Sequence, residues 1–201
     1  MRSMTIEELY EHLYSPQFQK EASGIFYNYY IYLYPPANEY DMRNQIQEFK
    51  KRLKRPATFV NPMTLDLFET FCEFLKEQFF GNESMLDVVF EKDKDTPSDV
   101  TEELTYEANS EAFCQFVHDK IDAFLKEDDG LKKPYVFIYG IGKMYPYLRT
   151  NTFLTSYEPF NETNKYKIIL FYPGEQDGNS FSLFNILHDD HTYRAILLVN
   201  E

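Results

Sequence analysis

Residues 166–178 read YKIILFYPGEQDG, and residues 134–142 read PYVFIYGIG. Both are short runs of β-branched and aromatic residues, the composition of buried strands. Each stops abruptly, at Pro-Gly in the first and at Gly in the second. A Rossmann-like sheet places its upper loops at such points, beyond the carboxyl ends of its strands. A third run, YRAILLV at 193–199, lies close to the end of the sequence. Between them the pattern predicts a helix over 146–157 and a short helix over 180–187, with strands at 135–139, 166–172 and 193–199.

Upstream, IFYNYYIYLY (25–34) is almost wholly aromatic or β-branched and ends at Pro35-Pro36. Its near-continuous apolar character suits an inner strand covered on both faces. Before it, Thr5-x-x-Glu8 forms a capping-box pattern ahead of Ile6, Leu9, Tyr10 and Leu13. After it, Asn38 can cap a helix whose Met42, Ile46, Phe49 and Leu53 recur as one apolar stripe, stopped by Pro56. ATFV (57–60) predicts a second strand ended by Asn61-Pro62. Thr64 then can cap a helix holding Leu65, Phe68, Cys72, Leu75 and Phe79. Residues 81–109 are highly charged, with Thr96-Pro97 as a helix start. Phe113, Val117, Ile121 and Phe124 mark a further amphipathic helix. The order β-α-β-α-(insert)-α-β-α-β-α-β predicts an α/β domain over 1–201. It has a mostly parallel sheet of about five strands, helices on both faces in a Rossmann-like three-layer arrangement, and an acidic helical or loop insertion at about 81–111.

Charge and composition narrow the function. A net charge of −13 opposes direct binding to nucleic acid or to an anionic membrane. No apolar run reaches the roughly 18–20 residues that span a bilayer. The N-terminal MRSMTIEELYEHLY mixes charges into its apolar positions, unlike a signal peptide. Cys72 and Cys114 both fall in helical apolar patterns, which reads as buried free thiols and a cytoplasmic setting. Residues 81–130 carry 15 acidic and 4 basic side chains, whereas 43–55 carry 6 basic and 1 acidic. The basic run is either a solvated helix face or a docking patch, with Arg43, Lys50, Lys51 and Lys54 as its candidates.

Catalytic signatures are weak. No sequence matches a phosphate-binding loop; Gly140-Ile141-Gly142-Lys143 is the nearest imitation and lacks the third glycine of a dinucleotide fingerprint. His188-Asp189-Asp190-His191 holds metal-ligand types, but adjacent residues rarely converge on one ion, and no C-x-x-C pair is present. Cys114 and His118 are an i, i+4 pair without an evident orienting group. The expectation is therefore no catalytic constellation, no metal and no cofactor. What remains is the set of strand-end residues: Gly140, Gly142, Pro146, Arg149, Pro173, Gly174, Asp177, Gly178, Tyr193 and Arg194. Arg149 and Arg194 can pair with Asp177 or Glu175 in a structural network, or with an external anion such as a nucleotide. The residues leave both open.

The strand-end motifs occur as an ordered set: G-x-G-x-x-YP with a following Arg, then F-YPG-E-x-D-G-x-S with a following Leu-Phe, then Tyr-Arg-Ala. In this order and spacing the chain resembles the BrxB family, a component of BREX bacteriophage-exclusion systems. Glu39 and Arg43 match an E-x-x-x-R helix start in the front half. Two departures stand out. Gln176 replaces an aromatic, and His191-Thr192-Tyr193 stands where the family tends to read Asn-Tyr-Tyr. The resemblance implies a non-catalytic defence-system subunit, an adaptor whose partners are other BREX proteins, foremost a PglZ-like protein. It carries over no active site. Oligomeric state and strand order are not legible in the sequence.

Overall fold

Successive tyrosines of the first strand face opposite sides of the sheet, and this splits the core in two. A computed structural model describes residues 2–20, 29–55, 58–127, 130–162, 165–177, 180–188 and 195–200. Its main strands are β1 (Tyr29–Tyr34), β2 (Val60–Asp66), β3 (Lys133–Tyr139), β4 (Lys167–Asp177), β5 (Ser180–Leu183), β6 (Leu187–His188) and β7 (Ala195–Leu197). Five of them pair in the order β7-β1-β4-β3-β2, all parallel. β5 then pairs antiparallel with the far end of β4, and β6 antiparallel with β5. The sheet as a whole is therefore mixed.

The helices are α1 (Ile6–Tyr14), α2 (Pro16–Lys20), α3 (Glu39–Leu53), α4 (Leu67–Glu77), α5 (Met85–Lys92), α6 (Pro97–Ala108), α7 (Glu111–Lys126), α8 (Ile141–Met144) and α9 (Thr150–Tyr157). On one face Tyr30, Tyr32, Phe137, Ile169 and Phe171 pack with α1 and α3. On the other, Tyr29, Ile31, Val136, Ile138, Ile168 and Leu170 pack with α4, α7 and α9. The period-2 alternation of a strand sends neighbours to opposite layers, and both layers are apolar here. The charged 81–111 segment contains α5 and α6, whose Met85, Val89, Val100 and Leu104 join the second core.

Buried tyrosines bring a polar atom into each core, and each such atom needs a partner. Tyr29 Oη donates to the carbonyl of Leu154 (3.0 Å), Tyr32 Oη to Met4 (3.1 Å) and Tyr135 Oη to Leu13 (3.0 Å). The sheet is tied to helical layers on both sides by bonds whose loss would leave a buried carbonyl unsatisfied, at about 1–3 kcal/mol each.

Several local expectations are corrected. Asn61-Pro62 does not end the second strand: β2 runs through Pro62 to Asp66. It lies at the sheet edge, bonded on one side only, where the missing proline N–H breaks no ladder. Thr64 consequently lies within β2, and Asp66 caps α4, accepting from the N–H groups of Phe68 (3.1 Å) and Glu69 (3.2 Å). Asn38 precedes α3 without a side-chain capping bond. The helix expected at 180–187 is the β5–β6 hairpin, with Phe184 and Asn185 at positive φ in its turn. The helix expected at 146–157 begins only at Thr150, after a cis Tyr145–Pro146 peptide. The Thr5/Glu8 capping box and Pro97 at the first position of α6 form as the sequence predicts.

Candidate functional site

In an open α/β sheet, ligand crevices form beyond the carboxyl ends of the strands. Here those ends carry Tyr34 (β1), Asp66 (β2) and Tyr139 (β3). A polar stripe of α3 faces them. Glu39, Arg43, Gln47 and Lys50 recur at i, i+4, i+8 and i+11, beside the apolar stripe that anchors the helix. Tyr34 Oη donates to Glu39, and Arg43 Nη2 meets the same carboxylate at 3.1 Å. Gln47 Nε2 donates to Tyr139 Oη (3.3 Å), and Lys50 Nζ donates to Thr64 Oγ1 (3.2 Å).

Asp66 closes the row. Besides capping α4, its carboxylate receives Lys143 Nζ of α8 at 2.5 Å, and Lys143 stands 5.5 Å above the Phe68 ring. Burial, and then the nearby carboxylates of Asp66 and Glu69, raise the Tyr139 hydroxyl above its ordinary pKa. Burial and the Glu39 carboxylate push Tyr34 up further. Both phenols stay protonated; Tyr34 donates to Glu39, and Tyr139 accepts from Gln47. Burial, followed by the charge of Lys54, lowers Lys50.

The expected strand-end residues divide among different places. Gly140, at φ +75°, initiates α8 directly against Asp66, so the Gly-x-Gly-Lys sequence builds a lysine–carboxylate clamp. Gly142 lies against the ring of Phe184 and beside Pro173, and a Cβ there would meet the ring at 2.6 Å. Gly174 lies in β4, where a Cβ would come within 2.1 Å of the Ser182 carbonyl oxygen. Pro146 follows the cis bond, and Arg149 precedes α9 with its guanidinium 5.1 Å from the Tyr145 ring centroid. Asp177 ends β4, paired through its backbone with Ser180. Its side chain, together with Gly178, Tyr193 and Arg194, lies outside the described residues. So does most of the 188–191 tract; His188 itself is exposed.

On α3, Arg43 and Lys50 are drawn into the strand-end row. Lys51 pairs with Glu48 at 2.7 Å on the surface, and Lys54 is exposed. Cys114 is buried, and burial raises its thiol to about 11, which leaves it an inert packing group. Cys72 departs from the expectation of full burial: it is half-buried, on the α4 face turned toward α5 and α6. Among the described residues, no group of three or more His, Cys, Asp or Glu is placed to hold a metal ion.

Sequence reasoning missed Tyr34, Gln47, Asp66, Tyr139 and Lys143 as one group. The polar stripe of α3 was visible as helical spacing. Its partners become visible only when three separate strands are seen to end at one level.

Comparison with known proteins bears on the same region. A family model described as BREX protein BrxB matches residues 63–198, more than half of the chain and inclusive of Asp66, Tyr139, Gly140 and Lys143. A BREX protein BrxB of Bacillus cereus (strain H3081.97) is 26% identical over 184 residues, covering 91% of this chain and 89% of the relative. No solved structure matches.

Proposed function

The chain belongs to the BrxB family of BREX proteins, and from that premise we propose that it is a non-catalytic adaptor of a BREX-type antiphage defence system. It joins other BREX proteins, a PglZ-like protein first among them, and works in the cytoplasm. The observation that carries the adaptor reading is a pair of unlike faces on opposite layers of one sheet. The last three turns of α3, on one layer, and the two residues after it form the 43–55 stretch, with a net charge of +5. α5 and α6, on the other, belong to the 81–111 stretch, with ten acidic and two basic side chains and a net charge of −8. Two faces of opposite sign suit two different partners, since complementary potentials select partners and suppress wrong ones. The strand-end row adds support. Glu39 holds Tyr34 and Arg43, Gln47 holds Tyr139, and Lys143 holds Asp66, three separate contacts along the strand ends. No described helix is long and apolar enough to cross a membrane.

The test is a tagged pull-down from cells expressing the whole defence island, read by mass spectrometry at moderate salt. Recovery of a PglZ-like protein or another island member supports the reading and names the partner. Recovery of the tagged chain alone removes it.

A second reading, an anion-binding sensor or enzyme, has one observation in its favour. Arg149 Nη1 and Thr150 Oγ1 are buried at the start of α9 without a hydrogen-bond partner among the described residues. In this reading Arg149 acts with Asp177 and Arg194 around an anionic ligand. A thermal-shift screen of nucleotides against the purified protein checks it. An unchanged unfolding temperature at millimolar ligand sinks it.

A further inference from the structure

α4, α5 and α6 leave an apolar cavity of about 180 Å³ between them, walled by Phe68 and Cys72 of α4, Leu86 and Phe90 of α5, Leu104 of α6, and Tyr147. Phe90 stands at its mouth with 63% of its surface exposed. Isolated apolar side chains at a surface need no explanation, but an exposed phenylalanine on the wall of an apolar cavity marks a place where a further apolar group can pack. The volume is below the roughly 300–1,000 Å³ typical of pockets for drug-sized ligands. It suits one large side chain better than a cofactor.

The charge around the cavity identifies the occupant. Asp93 lines it, and the two helices that form its outer wall come from the segment with a net charge of −8. Both lysines of that segment are already paired, Lys92 with Glu103 at 3.1 Å and Lys94 with Glu91 at 2.9 Å. Lys76 and Lys143 lie on the α4 side, near Cys72, so the acidic wall is the α5–α6 side, and it repels acidic segments and concentrates basic ones there.

We propose that this groove is a docking site for a basic segment of another BREX protein that inserts one large apolar side chain beside Phe90. The inference rests on the adaptor reading and gives it a surface and a partner chemistry. The buried anchor supplies most of the affinity, as hot-spot residues do at other interfaces, and the surrounding charges supply encounter rate and selectivity.

The test uses the full chain, tagged and produced with the other proteins of its island, as wild type, Phe90→Arg and Asp93→Lys. Each BREX protein captured by the wild type is then displayed as overlapping peptides and probed with the purified chain. Both variants are expected to unfold at the wild-type temperature and to retain at least about tenfold less of one BREX partner. Should Phe90→Arg unfold earlier, Asp93→Lys alone decides. The bound peptides are expected to be net basic, to weaken with salt, and to lose binding when their one large apolar residue becomes alanine. Full retention of every partner overturns the inference and leaves the adaptor reading standing, with docking elsewhere. Capture of no BREX protein by the wild type removes the adaptor reading and the inference with it. Binding of acidic peptides, or self-association of the wild type that Phe90→Arg abolishes, gives the groove a different occupant and overturns the inference.

Discussion

A Cβ placed on Gly140 would lie 2.5 Å from Oδ1 of Asp66. The carboxylate has no room to withdraw, since it is held by the N–H groups of Phe68 and Glu69 and by Lys143. Gly140 also sits at φ +75°, a left-handed conformation that costs an L residue about 1–2 kcal/mol. The close approach lets one aspartate cap α4 and anchor α8 together.

Gly140→Ala is therefore expected to destabilise the protein by more than the backbone term alone, about 2 kcal/mol or above. Urea denaturation of the variant beside the wild type measures it. A midpoint equal to that of the wild type would mean that the clamp is not rigid.

Stability should fall in alkali. Burial raises Cys114 from 9.0 to about 11 and Tyr32 from 10.0 to about 12. Burial also raises Tyr29, Tyr34 and Tyr157. The folded protein thus holds protons that the unfolded chain has already released. The contribution is complete below about pH 9 and is lost as pH rises through 11 and 12. Urea midpoints taken from about pH 8 to pH 11 check this. A midpoint that holds constant or climbs over that range contradicts it.

Much of the fold was legible because the signals are local. YYIYLY and KIILFY are strands by composition alone, and Thr5/Glu8 is a cap by spacing. The errors came where position in the sheet overrides local preference. Pro62 reads as a strand end, yet it is tolerated because β2 has one bonded neighbour. Ser180-Phe181-Ser182-Leu183 alternates as a strand does, and the Asp-Gly dipeptide at 177–178 is a hairpin signal in sequence that the reading of 180–187 as a helix passes over. The site was harder still. Gly140 stood out as a turn residue, but its partner Asp66 meets Lys143 across 77 residues of sequence. No spacing rule reaches that far. The groove was invisible for a related reason: Leu86, Phe90 and Leu104 read as an exposed charged insertion until α5 and α6 are placed against α4.

The basic face of α3 makes a separate prediction. Lys51 is 72% exposed and pairs with a 64% exposed Glu48, a contact worth about 0–1 kcal/mol. Reversing Lys51 and Lys54 to glutamate should change stability by less than about 1 kcal/mol while weakening capture of a BREX partner that presents an acidic surface. Capture that is unchanged in the double variant removes α3 from the interface and leaves its charges as a solvated face.

The most direct measurement of the adaptor account is light scattering during gel filtration of the purified chain mixed with the PglZ-like protein of its own island. The account predicts one peak that contains both proteins, with a mass above that of either alone. Elution of each protein at its own mass, at concentrations where both are folded, would contradict it.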